Sequence, residues 1–282
     1  MEKSKDVKIF SLCYSKKDYE FLDDAVVMPL QVGAALNSEN VCELKDNTGD
    51  NISDMNYFYI ENTGIYWIWK NIHNCKYKGQ MQYRRPLHGV NEKMDFDRIF
   101  KNYDVITVEP YNYPKRSKPK YSGDGYIPAQ TVEDGYKFSN NANDIARLEF
   151  IINNYYPEYK DSYIKCIKKG ENLYYSNGFI MSEENYDKYC EFLFGILGKF
   201  REIFHINSKE DLWYHIGVDV GAGGFAWRYG NNPMIIWPEA MKWQTEIGGF
   251  LSERIWTLWL LHNIEHKRIY NLVYDKQENM WI

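Results

Sequence analysis

Asp46-Asn47-Thr48-Gly49-Asp50-Asn51-Ile52-Ser53, then a helical run from Glu61 to Asn71, then Gln80-Met81-Gln82-Tyr83-Arg84-Arg85, form a revealing succession in this chain. They set a polar turn-forming loop, an amphipathic helix and a strand ending in two guanidinium groups one after another. α/β proteins build pockets for phosphorylated ligands in this order, at the carboxyl ends of their strands, where guanidinium forks grip phosphate oxygens. The succession therefore predicts an α/β fold with a phosphate-bearing ligand at the strand ends.

Outward from that stretch, Val7-Lys8-Ile9-Phe10-Ser11-Leu12-Cys13 has the β-branched and apolar character of a buried first strand, and Tyr14-Ser15-Lys16-Lys17 follows as a polar turn. Pro29 to Leu36 is a short apolar segment, and the Gly and Asx residues of 46–53 suit tight turns. Tyr57, Ile60, Gly64, Trp67 and Ile68 recur at three- and four-residue spacing, which predicts one helix from Tyr57 to Asn71 with Asp54 or Asn56 as its cap. Gly79 to Leu87 reads as a strand, Phe96 to Lys101 as helix-like, and Tyr103 to Val108 as another strand. Strand alternating with helix predicts a mainly parallel sheet with both faces covered.

Residues 109–140 are rich in loop signals, including Pro110, Pro114, Pro119, Gly123, Gly125 and Pro128. A segment of that length in a compact domain is usually functional or mobile. Helices are predicted at 142–155 and 158–168, then a strand from Leu173 to Met181 and a long helix from Glu183 to about Phe204. After a Gly221-Ala222-Gly223-Gly224 turn, a helix from about Phe250 to His262 and an edge-like segment from Arg268 to Tyr274 close the pattern.

With 44% hydrophobic and 26% charged residues, the 282-residue chain has the composition of a globular protein able to bury a sizeable core. A net charge of −5 supplies no global positive field, so nucleic acid is not an expected partner. The local basic run Lys115, Arg116, Lys118 and Lys120 reads as a solvated loop able to touch a phosphate or a lipid headgroup. Five cysteines without a CxxC pair read as reduced, mostly buried thiols. The chain shows neither an apolar signal core nor a membrane-length apolar run, and a cytoplasmic protein is expected. Aromatic residues reach 17%, with 25 Tyr, 9 Trp and 14 Phe. Such rings suit stacking on sugars, although ordinary core packing accounts for most of them.

Five ordered motifs carry a resemblance. Pro29-Leu30-Gln31-Val32-Gly33-Ala34, Asp50-Asn51-Ile52-Ser53, Tyr66-Trp67-Ile68-Trp69-Lys70-Asn71, Tyr83-Arg84-Arg85 and Gly249-Phe250-Leu251-Ser252-Glu253-Arg254 resemble a bacterial family found in capsular and exopolysaccharide clusters, over about residues 7–265. That family looks like glycosyltransferases of GT-A type. The resemblance implies a Rossmann-like, mainly parallel sheet flanked by helices, with a helical C-terminal portion. It also implies one glycosyltransferase domain over 1–282, with about 7–110 binding the nucleotide and about 111–282 forming the acceptor side. The implied reaction moves a hexose, galactofuranose or galactose, from a UDP-sugar to a polysaccharide or lipid-linked oligosaccharide at the inner face of the membrane, with at most peripheral membrane contact. Gln82 stands where the family usually has His, and Asn residues around 140–143 occupy a region where His is common. These departures motivate a non-catalytic nucleotide- or sugar-binding scaffold as the alternative. A glycoside hydrolase ranks last, since nothing in the sequence fixes two carboxylates at the required separation.

Within that frame Arg84 and Arg85 are the candidate diphosphate clamp, taking the place of a divalent metal because no Asp-x-Asp follows their strand. One of them forming an internal ion pair is the competing reading, since strand neighbours point to opposite faces. Asp95-Phe96-Asp97 lies about ten residues later, and Gly217-Val218-Asp219 offers one carboxylate alone. No cofactor or metal is therefore expected, with Mn or Mg as the alternative. Asp50, Asn51 and Ser53 suit the uracil and ribose or, equally, a local Asx turn; Tyr14 suits the base; Lys70 suits the diphosphate or snorkels at its helix end; Asn177 suits a sugar hydroxyl. Glu253 and Arg254 are candidates for a carboxylate base and a cation, against a structural ion pair. Asp124, Glu133 and Glu184 stand beside Glu253 as candidate bases.

Overall fold

The first strand, β1 (Val7–Cys13), forms where its β-branched run predicts, and its side chains divide the molecule into two cores. Successive strand residues point to opposite faces, so Ile9 joins one apolar cluster while Phe10 and Leu12 join the other. The computed structural model describes residues 6–19, 26–82, 87, 89–91, 93–116, 129–175, 177–221 and 244–272.

In chain order the elements are α1 (Lys16–Tyr19), β2 (Val27–Gln31), α2 (Asn56–Tyr59), α3 (Asn62–Asn71), β3 (Tyr77–Gln82), α4 (Phe96–Ile99) and β4 (Val105–Val108). Then come β5 (Tyr111–Asn112), α5 (Tyr113–Arg116), α6 (Val132–Ser139), α7 (Ala142–Tyr155), α8 (Lys160–Tyr163), β6 (Asn172–Leu173) and β7 (Phe179–Ser182). α9 (Glu183–Ile203), α10 (Lys209–Gly221), α11 (Ile247–Asn263) and β8 (Ile269–Leu272) complete the described chain. Six strands form one sheet in the order β2-β1-β3-β7-β4-β8, and β5 pairs with β6 in a separate ribbon. β7 alone runs against its neighbours in the large sheet; the pairs β1–β2, β1–β3 and β4–β8 are parallel. The sheet is thus mainly parallel and flanked by helices, as its sequence pattern predicts. One edge gathers the carboxyl ends of β1, β2, β3, β4 and β8 with the amino end of β7.

The larger core lies on the face carrying Phe10, Leu12, Leu30, Val105, Phe179 and Met181, under helices that include α3, α7, α9 and α11. The smaller holds Ile9, Val27, Tyr77, Met81, Ile106, Ile180 and Leu272 with Phe96. α11 is buried on nearly every side, which is the signature of a central helix rather than a surface one. Trp256 stacks on Phe179 of β7 with ring centroids 4.2 Å apart and meets Tyr189 of α9 edge-on at 5.0 Å. All five cysteines are buried and unpaired. Burial pushes the Cys13 thiol up to about 12 and the Cys75 thiol up to about 11.

Local chemistry sets the element ends. α6 opens on a reciprocal capping box, in which Thr131 Oγ1 accepts from the Asp134 N–H at 3.1 Å and the Asp134 carboxylate accepts from the Thr131 N–H at 3.1 Å. Between β2 and α2, the Asp46 carboxylate accepts from the N–H groups of Gly33 (2.8 Å) and Ala34 (3.0 Å) and from the Ser53 hydroxyl (2.6 Å). Gly33 sits at φ 63, a conformation that L side chains rarely adopt, with the Asn56 amide in the space a Cβ would take.

Several elements differ from expectation, among them α6, which lies in the stretch expected to be loop-rich. The helix predicted from Tyr57 to Asn71 is broken at Ile60, whose φ of 53 stops α2, because Asn56 Nδ2 donates to the Ile60 carbonyl at 2.6 Å rather than capping. The strand predicted from Leu173 to Met181 is split between two sheets, β6 and β7, by a turn in which Asn177 adopts φ 47. α10 was not anticipated: its apolar positions are interleaved with acidic and glycine residues, which masks the 3.6 period.

Candidate functional site

β3 carries a polar row through the larger core. Lys78, Gln80 and Gln82 share one face of the strand, and the first two are fully buried. The nitrogen of each finds an acceptor, since a buried donor without a partner is costly. Lys78 Nζ pairs with Asp187 at 2.8 Å and Glu183 at 3.6 Å; Gln80 Nε2 donates to the Asn177 carbonyl at 3.0 Å; Gln82 Nε2 donates to Glu61 Oε1 at 2.8 Å. The row ends at the carboxyl edge of the sheet.

The break at Ile60 delivers Glu61 to that edge. α3 runs back against the strands it joins, so its amino end, where Glu61 stands, faces the carboxyl end of β3. α11 approaches from the other side through Gly248 and Gly249. A Cβ at Gly248 would lie 2.2 Å from the Phe58 carbonyl oxygen, and one at Gly249 would lie 3.1 Å from Glu61 Oε2. The glycine pair therefore lets α11 lie directly on α2 and on the Glu61 carboxylate. Asn62 Nδ2 ties the junction by donating to the Tyr59 carbonyl at 2.7 Å and to the Gly248 carbonyl at 3.3 Å.

Glu253, one turn beyond Gly249, accepts from Arg254 Nη1 at 3.0 Å, and both residues are buried. Arg254 also donates to the Phe250 carbonyl at 3.0 Å and to the Tyr113 hydroxyl at 3.4 Å, and its guanidinium lies 4.9 Å from the Tyr136 ring centre. Burial, with Glu253 and Glu246 nearby, pushes the Glu61 carboxyl up to about 7 against the pull of its hydrogen bonds. Asn177 Nδ2 donates to Ser252 Oγ at 2.7 Å, next to Glu253 in the chain. Asn62 Oδ1, Gln80 Oε1, Asn177 Oδ1 and Arg254 Nε are buried without a hydrogen-bond partner among the described residues. Such atoms are uncommon in folded proteins, and these four belong to a wider set that includes Asp144 Oδ2 and Trp256 Nε1.

The residues expected in the site fall into separate groups. Glu253, Arg254 and Asn177 meet at the carboxyl edge. Tyr14 follows β1 at the same edge, 51% exposed, with its N–H on Asp18 Oδ2 at 2.7 Å. Ser53 is buried, with its hydroxyl donating to Asp46 and accepting from the Ala35 N–H at 3.0 Å. Asn51 makes an Asx turn, accepting from the Ser53 N–H at 3.2 Å. Asp50 accepts from the Tyr66 hydroxyl at 3.2 Å, and Lys70 stands 3.3 Å from the Trp69 ring centre. Those contacts place Asp50, Asn51 and Lys70 along the far half of α3, and nine residues of helix put Lys70 roughly 13 Å from Glu61. Glu133 pairs with Lys137 at 2.7 Å and Glu184 with Lys188 at 2.6 Å. Tyr83, Arg84, Arg85, Lys118, Lys120, Asp124 and the 222–224 turn lie outside the described residues.

A second polar cluster joins α7 to α10. Asp144 Oδ1, His215 Nε2 and Asp219 Oδ2 lie within 4.8 Å of one another, the arrangement of a metal-binding triad. Arg147 Nη1 stands among them, 2.8 Å from Asp144, 2.5 Å from Asp219 and 3.2 Å from His215 Nε2. His215 Nε2 also lies 3.4 Å from Asp144 Oδ1, so it faces both the guanidinium and a carboxylate. Burial pushes the Asp219 carboxyl up, but hydrogen bonds from Arg147, Asn141 and Asn143 and the guanidinium charge outweigh it and hold the group below the usual carboxylate range. Asn141 also donates its N–H to Gln244 Oε1 at 3.1 Å. Asp95 caps α4 and Asp97 pairs with Lys76 at 2.5 Å, so each carboxylate of the Asp-x-Asp at 95–97 has a local partner.

Sequence reasoning passed over Glu61 and Arg147. Only Gln82, singled out by the resemblance, pointed to the strand end where Glu61 is held.

No helix of the described residues is long and apolar enough to cross a membrane. No curated protein matches the chain. Among solved structures, the chain is similar to the apo structure of the WbbM bifunctional glycosyltransferase, at 22% identity and a TM-score of 0.62. The similarity covers 96% of this chain and 45% of that one, so this chain spans less than half the length of its structural relative. The likeness bears on fold, and the α/β architecture described above agrees with it. A family profile described as a domain of unknown function, DUF4422, matches residues 8–213, most of the chain. The protein belongs to the DUF4422 family.

Proposed function

We propose that the chain is a glycosyltransferase that transfers a hexose, galactofuranose or galactose, from a UDP-sugar to a polysaccharide or lipid-linked oligosaccharide acceptor in capsule or exopolysaccharide synthesis. The observation that carries this reading is the gathering of Glu61, Glu246, Glu253 and Arg254 at the carboxyl edge of a mainly parallel sheet, where α/β folds bind their ligands. The likeness of the fold to a glycosyltransferase and the five sequence motifs support it.

In this reading Arg84 and Arg85, which follow Gln82 closely in the chain, neutralise the donor diphosphate and its leaving charge. Tyr14 and Asn177 flank the donor; Asp50, Asn51, Ser53 and Lys70 are assigned to nucleotide recognition through the loop and helix that carry them. Glu253, beside Arg254, belongs to the group of carboxylates to which the acceptor hydroxyl loses its proton. The protein works at the cytoplasmic face of the membrane without a resident metal.

Thermal shift and calorimetry against UDP, GDP, CDP and their sugars, with EDTA and with Mn²⁺, test the reading, since a ligand specific to the native state raises its stability. A response to UDP in EDTA is expected. A response only with Mn²⁺ overturns the metal-free arginine clamp. Binding without turnover of any donor supports the scaffold instead, a reading motivated by Gln82 in the position where a His is usual.

A further inference from the structure

We propose that Glu61 is the proton acceptor of the transfer, with Gln82 positioning it and Glu253 acting on it through charge. This inference rests on the transferase reading above and names the residue that reading leaves open.

The geometry separates the carboxylates. Glu253 faces the guanidinium of Arg254 at 3.0 Å, so its negative charge is already compensated. Glu61 is held by a neutral amide instead, with Gln82 Nε2 on Oε1 at 2.8 Å and Oε2 turned toward Gly249. One oxygen is thereby fixed, and the carboxylate plane with it. The missing Cβ at Gly249 on the facing helix leaves room for the other oxygen, which a Cβ would approach to 3.1 Å. Its placement at the amino end of α3 puts this carboxylate against the carboxyl end of β3, the edge where α/β folds bind their ligands.

The charged and titratable groups facing Glu61 are Glu246 and Glu253 from α11 and its start, and Tyr189 from α9. Burial and two like charges keep the Glu61 carboxyl near neutrality, where a group both sheds its own proton and accepts another readily. In the step itself the acceptor hydroxyl oxygen forms a bond to the anomeric carbon of the donor as the bond from that carbon to the β-phosphate oxygen breaks. The electron pair of the broken bond leaves on the nucleoside diphosphate, and the hydroxyl proton passes to the Glu61 carboxylate.

The test combines three measurements on the full chain. Carboxyl ¹³C titration should show one group titrating near 7 that is absent from Glu61→Gln. Glu61→Gln should bind the UDP-sugar found in the donor screen with unchanged affinity while its kcat falls by about 10²–10⁴-fold, the usual contribution of a positioned base. Gln82→Ala, which keeps the carboxylate but frees it, should lower kcat less and move the acidic limb of the pH–rate profile. Full turnover by Glu61→Gln, or assignment of the near-neutral group to Glu253 through Glu253→Gln, overturns the proposal while leaving the transferase reading intact. Failure of the wild-type protein to bind any donor removes that reading, and this assignment with it.

Discussion

Gln82 Nε2 donates to Glu61 Oε1 at 2.8 Å, so the last residue of a central strand grips the carboxylate at the amino end of the helix packed over it. The two residues lie 21 positions apart, and the donor is a neutral amide rather than a cation. The contact fixes a near-neutral carboxyl at the sheet edge.

That carboxyl makes stability depend on pH with a definite sign. Glu61 has a folded pKa of about 7 against an ordinary value of 4.5, so between these limits the folded state binds more protons than the unfolded one. Stability therefore falls as pH rises from about 4.5 to about 7, by at most roughly 3–4 kcal/mol from this group. Urea denaturation of wild type and Glu61→Gln across that range should show this slope in the wild type and its loss in the variant.

Arg147→Ala should cost about 3–5 kcal/mol, because it leaves Asp144 and Asp219 buried without their cation. The same variant exposes the Asp144–His215–Asp219 triad to a divalent ion. Zn²⁺ at saturating concentration should then raise the Tm of the variant and leave the wild type unmoved, as read by thermal denaturation.

Arg84→Ala and Arg85→Ala should each leave the fold intact. At least one should weaken UDP binding by tenfold or more, about 1.4 kcal/mol, in calorimetry. Unchanged affinity in both variants removes the diphosphate clamp.

Trp256→Ala should destabilise the protein by about 3–5 kcal/mol without a change in urea m-value, since it deletes the ring stacked between Phe179 and the α9 aromatics.

The elements that were legible in the sequence are those whose own residues decide them. β1 follows from a β-branched run, α7 (Ala142–Tyr155) and α9 (Glu183–Ile203) from unbroken apolar periods, and α11 from its apolar density. The break at Ile60 was hidden because it depends on the Asn56 side chain choosing a carbonyl four residues on over a capping role. The division of 172–182 between two sheets was hidden because Leu173 and the Phe179–Met181 run are alike apolar, and only their pairing partners tell them apart. At the site, Glu253 and Arg254 stood out as adjacent charges in an apolar helix. Glu61 did not, because its burial is imposed by Gly248 and Gly249 of a helix far along the chain. Arg147 did not stand out, because its partners His215 and Asp219 come from α10, some seventy residues along the chain.

The five buried cysteines make the chain its own reporter of opening. A thiol reacts as the thiolate, and burial keeps Cys13 and Cys75 protonated throughout the neutral range. A thiol reagent therefore meets the native protein slowly. Its rate at Cys13 follows release of the first strand, and its rate at Cys190 follows release of α9 from the sheet. Mass mapping of the modified peptides would thus rank the sheet and its covering helices by the free energy at which each lets go, with no residue changed in the protein.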